Sequence, residues 1–278
     1  MIRVSEINIY PLKSAAGIAL ESAELDAFGF RHDRRWMVVD NDGQFLTQRA
    51  EPRLALVRTS IDDAALCLEA TGCGPLRLPL DHPGGARRPV RVWADDTEAV
   101  DAGDDAARWI STALGRPARI VHMPDDIVRP VDASYSVGDD RVSFVDAFPF
   151  LLISQASLDE LNRRLDHPLP MNRFRPNLVV EGTEPHAEDG WQRIRMGDVT
   201  FAVVKPCARC VTTTIDQATG VAGREPLRTL ATYRKVGSNV LFGQNLIHRA
   251  MGAVRVGDEL EVVAETDASA SGPASASG

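Results

Sequence analysis

Phe201-Ala202-Val203-Val204-Lys205-Pro206-Cys207-Ala208-Arg209-Cys210-Val211-Thr212-Thr213-Thr214-Ile215-Asp216 is the stretch on which the reading of this chain turns. Its apolar lead-in predicts a strand, and the run from Val211 to Ile215 is β-branched at every position and predicts another. Two cysteines, two residues apart, therefore sit on a tight connection between strands. A thioredoxin-type dithiol would set its first Cys at a helix N-terminus, which the β-branched exit disfavours. A zinc site needs three or four ligands, and Cys67 and Cys73, the remaining cysteines, flank a separate hairpin without a two-residue spacing of their own. Two small buried residues without chemistry would share the same spacing. Lys205 and Arg209 tilt the balance, because neighbouring cations favour the thiolate, the form that binds metals. A single thiolate on a loop, with other ligands supplied by a cofactor, suits a soft-ligand transition-metal site.

Outward from this segment the texture is short strands between turn signals, which points to barrels or sandwiches. Arg35 to Val39, Leu54 to Ile61, Ala64 to Glu69, Phe150 to Ile153, Asn177 to Glu181, Val199 to Val204, Val240 to Ile247 and Val254 to Val263 read as strands, and Gln44 to Thr47 as a hairpin arm after the Asp40-Asn-Asp-Gly43 turn. Helices are few. Asp104 to Leu114 has helical spacing and stops at Gly115-Arg-Pro117. Ser157-Leu-Asp-Glu160 matches a capping box and predicts a helix to about Leu165. Pro226 at a first helical position predicts another to about Tyr233. The polar stretch from Pro124 to Asp140 reads as a linker. The fold class is thus α+β, predominantly β, with residues 1–123 and 124–264 as two units and a Ser/Ala/Gly tail, 265–278, expected to be disordered.

The 278 residues are 44% hydrophobic and 25% charged, enough for a sizeable core, with a net charge of −8. That balance argues against a general nucleic-acid binder, which needs a basic surface. The N-terminus lacks the apolar core of a signal peptide, and no apolar run nears the ~20 residues of a membrane span. A soluble, cytoplasmic protein is expected, with no membrane partner. Four cysteines do not make a disulfide framework. The six histidines, His32, His82, His122, His167, His186 and His248, are scattered without metal-ligand spacing.

Within this acidic chain, basic residues recur at loop-to-strand boundaries, where side chains can converge on a site held by a rigid scaffold. They suit an anionic small ligand, with Arg able to grip a phosphate bidentately. The strings that carry them are Tyr10-Pro-Leu-Lys-Ser14, Asp33-Arg-Arg-Trp36 and Phe174-Arg-Pro-Asn177. Followed by Cys207-Ala-Arg-Cys210 and Leu241-Phe-Gly-Gln244, they resemble the MOSC family, on the branch that holds the mitochondrial amidoxime-reducing component and its bacterial relatives. The likeness runs from about Ile2 to Val263.

The resemblance implies an N-terminal MOSC-associated β domain, a barrel-like MOSC domain and a molybdenum–pterin (molybdopterin) cofactor between them. It makes Cys210 the molybdenum ligand and the catalytic centre, and leaves Cys207 structural or supporting. Lys13, Ser14, Arg34, Arg175 and Asn177 would contact the pterin or its phosphate. Ala208 replaces a serine of the animal relatives, which alters a cofactor contact there. Pyridoxal phosphate (PLP), or no cofactor, is the alternative. The implied activity is a molybdenum-dependent reductase of N-hydroxylated compounds such as amidoximes and hydroxylamines. The sequence carries no iron–sulfur ligand pattern, so a separate ferredoxin- or cytochrome b5-like donor is expected. Its rival is a carrier that uses Cys210 to hold sulfur or the cofactor. Asp146 and Asp216 are candidates for proton delivery, with a turn role the simpler reading for a lone Asp after a strand.

Overall fold

The computed structural model describes residues 1–80 and 85–265; His82 and the expected disordered tail, apart from Glu265, lie outside them. The fold is predominantly β. Seven strands close a ring in the order Phe150–Ser154, Leu178–Glu181, Ile2–Ile9, Glu259–Glu265, Trp191–Met196, Val199–Ala208, Asn239–His248 and back to Phe150–Ser154. Only the first of these pairings, Phe150–Ser154 with Leu178–Glu181, is parallel. The chain's first strand is thus a stave of a barrel otherwise built from residues beyond 149.

The period-2 pattern of each stave turns one row of side chains inward. Val4, Ile7, Phe150, Leu152, Leu178, Val180, Ile194, Met196, Phe201 and Leu246 form one buried cluster, each large side chain contributing roughly 1.5–3 kcal/mol by burial. Leu241-Phe-Gly-Gln244 belongs to this framework. Gly243 has φ 81°, and a Cβ there would lie 2.6 Å from Ile153 Cγ1 and 2.8 Å from the Leu152 carbonyl oxygen. Gly243→Ala is expected to cost about 1–3 kcal/mol through overpacking and strain, read as a lower denaturant midpoint. An unchanged midpoint would contradict the closeness of this seam.

Between the first and second staves the chain builds a four-stranded antiparallel sheet from Trp36–Val39, Arg119–His122, Asp95–Asp101 and Arg87–Val92. A three-stranded sheet, Arg58–Ile61, Ala65–Glu69 and Leu76–Pro79, lies beside it. The helix Asp104–Leu114 forms where its spacing predicts, ends on left-handed Gly115 and buries Ala106, Ala107, Ile110 and Leu114. Ile110 and Leu114 pack with Trp36, Val38, Leu54 and Leu66 in a second core. Among the described residues no helix is long and apolar enough to cross a membrane.

Several local expectations are corrected. Val211–Thr214 is a 3-10 turn, not a strand. The hydroxyls of Thr213 and Thr214 donate to the carbonyls of Cys210 and Val211, so local side-chain bonds override β propensity. The capping-box helix starts earlier, at Gln155, capped by Ser154, and ends at Asn162; Ser157 is inside it and donates to buried Glu188. The helix after Pro226 is a single turn, Leu227–Leu230. Leu54 and Leu56 lie in a 3-10 turn before the strand Arg58–Ile61. Gln44 to Leu46 does return against Val38 to Asp40, through the antiparallel Val39–Phe45 bridge and the Asp40–Gln44 and Leu46–Val38 backbone bonds, but the arm is too short to form a regular strand. The last predicted strand is two, Ala253–Arg255 and Glu259–Glu265. The stretch 124–140 is stitched down rather than a free linker. Its buried Arg129 donates to the carbonyls of Ser143 and Val145 and pairs with Asp95.

Candidate functional site

A cavity of about 310 Å³ opens where the loops after the first stave, before Trp36–Val39, before Leu178–Glu181 and after Val199–Ala208 meet. Lys13, Ser14, Arg34, Arg175, Asn177, Ala208 and Cys210, the residues to which the resemblance gives a cofactor contact, all line it. Thr47, Arg49, Asp146, Lys205, Arg209 and Thr212 join them. Six cations thus face one carboxylate in a chain whose net charge is −8.

Three of the lining residues take left-handed backbone without being glycine: Ser14 at φ 71°, Arg34 at 50° and Arg175 at 56°. Each such residue costs roughly 1–3 kcal/mol and persists only where its surroundings over-determine it. Here the surroundings are a buried polar knot. Asp33, 3% exposed, accepts from the Tyr10 amide at 2.7 Å and Asn177 Nδ2 at 3.1 Å, and pairs with Arg34. Arg34 also donates to Asn177 Oδ1 at 2.9 Å. Two guanidiniums pack on the Tyr10 ring, with Arg34 Cζ at 4.3 Å and Arg175 Cζ at 4.2 Å from its centre. Burial pushes the Tyr10 hydroxyl up to about 12 and Arg175 down to about 10; at neutral pH the phenol stays neutral and the guanidinium charged.

Lys13 is buried and donates to the Phe144 carbonyl at 2.6 Å and to Asp146 at 2.5 Å. Burial lowers its pKa, against the pull of Asp146. Burial also opposes charge on Asp146, but Lys13, Arg49 and the Trp93 indole N–H outweigh it and hold the carboxyl well below the usual carboxylate range.

Cys210 stands immediately before the 3-10 turn. Burial pushes its thiol up, yet the Thr212 hydroxyl, the Thr212 amide and the Arg49 guanidinium together bring it below the ordinary cysteine value. The turn is gripped from outside by buried Arg173, which donates to the Thr213 and Thr214 carbonyls and to Asp216. Cys207 also lines the cavity, but its sulfur accepts from Arg209 at 3.0 Å and packs against the cluster of Phe174 and Phe242. Asp216 does not line the cavity; it accepts from the amides of Ala218 and Thr219 in a tight turn. The Nε atoms of Arg49 and Arg209, both on cavity-lining residues, are buried without a partner. Among the described residues no group of three or more His, Cys, Asp or Glu side chains is placed to hold a metal ion, so a protein-only zinc site has no ligand set there.

Arg49 and Thr47 carried no signal in the sequence, since neither sits in a basic string or a periodic run. Arg173 lay in a basic segment but does not line the cavity; it acts through the turn after Cys210.

Family models match the two ends of the chain: a MOSC N-terminal beta barrel domain over residues 1–117 and a MOSC domain over 139–261. The human mitochondrial amidoxime-reducing component 1 is 36% identical over 282 residues, covering 94% of this chain and 83% of the relative. The chain belongs to the MOSC family. Within it, the rat mitochondrial amidoxime reducing component 2 is 38% identical over 275 residues, covering 92% of this MOSC protein and 81% of the relative. The crystal structure of the YUAD protein from Bacillus subtilis, 13% identical, covers 94% of both chains at a TM-score of 0.42. The names of the relatives overturn the cytoplasmic expectation: they are mitochondrial components, and an N-terminus without an apolar core does not assign a compartment.

Proposed function

We propose that this cavity holds a molybdenum–pterin cofactor and that the protein reduces N-hydroxylated compounds, amidoximes and hydroxylamines, with electrons from a separate redox protein of ferredoxin or cytochrome b5 type. One observation carries the reading. A thiol whose pKa Thr212 and Arg49 lower shares a single cavity with six cations that one carboxylate cannot neutralise. The donor set fits the group, with a soft sulfur for the metal and guanidiniums, two with orphaned Nε atoms, for an anionic phosphate. Membership of the family of amidoxime-reducing components supports the same conclusion; nothing in that membership supports pyridoxal phosphate.

In this reading Cys210 is the protein's ligand to the metal, and Lys13, Ser14, Arg34, Arg175, Asn177 and the backbone at Ala208 hold the pterin and its phosphate. The bound cofactor supplies the redox chemistry that removes oxygen from nitrogen. The chain binds, orients and shields. Thr212 and Arg49 favour the metal-binding form of Cys210, and the buried Asp33 knot fixes Arg34 and Asn177 before any ligand arrives. Asp146, half exposed and held ionised by its pairs with Lys13 and Arg49, fixes those two cations at the cavity wall rather than carrying protons. Residues 1–123 and 124–264 act as the two units between which the group sits, with the first strand lent to the barrel.

Protein from a host that makes the cofactor, supplied with a chemical or protein reductant, is expected to reduce hydroxylamine and benzamidoxime. Bound cofactor with no turnover of either would identify the carrier role instead. Arg173→Ala, which frees the turn behind Cys210, is expected to weaken cofactor retention by about 10–100-fold, the range for an outer-shell partner of a metal ligand. Circular dichroism would check that the barrel survives, and unchanged retention would exclude the clamp.

A further inference from the structure

The hairpin of Arg87–Val92 and Asp95–Asp101 turns through Trp93 and Ala94, with Val92 and Asp95 paired across it. Trp93 has φ 59°. In a two-residue hairpin loop whose first central residue has positive φ, that position ordinarily belongs to glycine. A tryptophan is there instead, and it is 43% exposed. A bulky side chain in left-handed backbone at a turn tip gains nothing for the core, so its position calls for another role.

Its contacts tie it to the cavity. The indole N–H donates to Asp146 Oδ1 at 3.2 Å. The Arg49 guanidinium lies 4.2 Å from the ring centre and donates to Asp146 Oδ2 at 3.2 Å. Phe45 packs edge-on at 5.0 Å and has Lys13 Nζ 5.6 Å over its own ring. Arg49, Asp146 and Lys13 all line the cavity. Trp93 does not itself line the cavity; it rests on the outer side of the cavity-wall residues Arg49 and Asp146, with part of its surface open to solvent.

We propose that Trp93, backed by Phe45, is a stacking shelf at the mouth of the cavity that selects substrates carrying a planar conjugated ring beside the N-hydroxylated group. The reading rests on the function proposed above and names the substrate class within it. Aromatic rings stack offset on one another, and a ring fixed by a hydrogen bond on one edge and a cation on one face loses little freedom when a second ring arrives. A pterin ring has the same planar chemistry. The exposure of Trp93 favours the substrate, and the test separates the two.

The experiment compares benzamidoxime with acetamidoxime on cofactor-loaded wild type, Trp93→Ala and Trp93→Phe. Trp93→Ala is expected to lower the benzamidoxime-to-acetamidoxime ratio of kcat/KM by about fivefold, the worth of one aromatic pair. Trp93→Phe keeps a ring but not the indole N–H, and is expected to retain most of the ratio. Benzamidoxime should also quench wild-type tryptophan fluorescence, and Trp93→Ala should abolish that quenching. An unchanged ratio in Trp93→Ala overturns the shelf. So does a Phe variant as impaired as Ala, which would mean that the residue works only through Asp146. Loss of bound pterin in Trp93→Ala assigns the ring to the cofactor and overturns it too. If wild type turns over neither compound, the reductase reading fails, and the fluorescence titration still decides the shelf.

Discussion

Cys210→Ser is expected to leave a folded protein that no longer retains molybdenum and no longer reduces N-hydroxylated compounds. Serine keeps the size of the side chain and the turn behind it, since Thr213 and Thr214 bond to backbone carbonyls rather than to the sulfur. What it removes is a soft, ionisable donor that Thr212 and Arg49 hold below its ordinary pKa, and a hydroxyl neither ionises at neutral pH nor offers a soft ligand. The loss should exceed the about 10–100-fold that follows removal of an outer-shell partner. Cys207→Ser is the internal control. The Cys207 sulfur is engaged by Arg209 and by apolar packing, so its replacement should retain metal and most activity. Equal loss in the two variants would contradict the division of labour drawn here.

Asp33→Ala should be the most damaging change that touches no ligand directly. Asp33 is almost fully buried and holds the Tyr10 amide, Asn177 and Arg34. Removing it leaves the Arg34 guanidinium in the interior without its carboxylate. Breaking one side of a buried ion pair costs about 3–5 kcal/mol. Chemical denaturation should show a drop of that size, and the unfixed Arg34 and Asn177 should cost cofactor retention as well. Arg34→Ala also leaves a buried charge unpaired, on Asp33, so the double variant should lose much less than the sum of the singles. Additive losses would mean that the knot is not a unit.

Much of the site was legible because its residues announce themselves locally. Lys13, Arg34, Arg175 and Asn177 sit in short basic strings at loop-to-strand boundaries, and the two-residue cysteine spacing draws the eye to Cys210. Arg49 had no such mark. Arg49 stands alone after Thr47-Gln48, and its link to Asp146 spans a separation of 97 residues, so only tertiary closure makes it part of the cavity. The predominantly β character followed from β-branched runs between turns, and the helix Asp104–Leu114 from its spacing and its glycine stop. The strand predicted over Val211–Ile215 failed because threonine hydroxyls and Arg173 satisfy that backbone locally, which no propensity scale includes. Leu241-Phe-Gly-Gln244, one of the strings that carry the resemblance, is a packing device, with Gly243 there because the neighbouring strand leaves no room for a Cβ.

Whether Cys210 and the cations around it hold a molybdenum–pterin group is tested most directly by elemental and pterin analysis of the wild-type protein, purified from a host able to make the cofactor. Molybdenum and pterin in equal amounts, near stoichiometric with the chain, are predicted. Zinc in place of molybdenum, or a chain free of pterin, would contradict it.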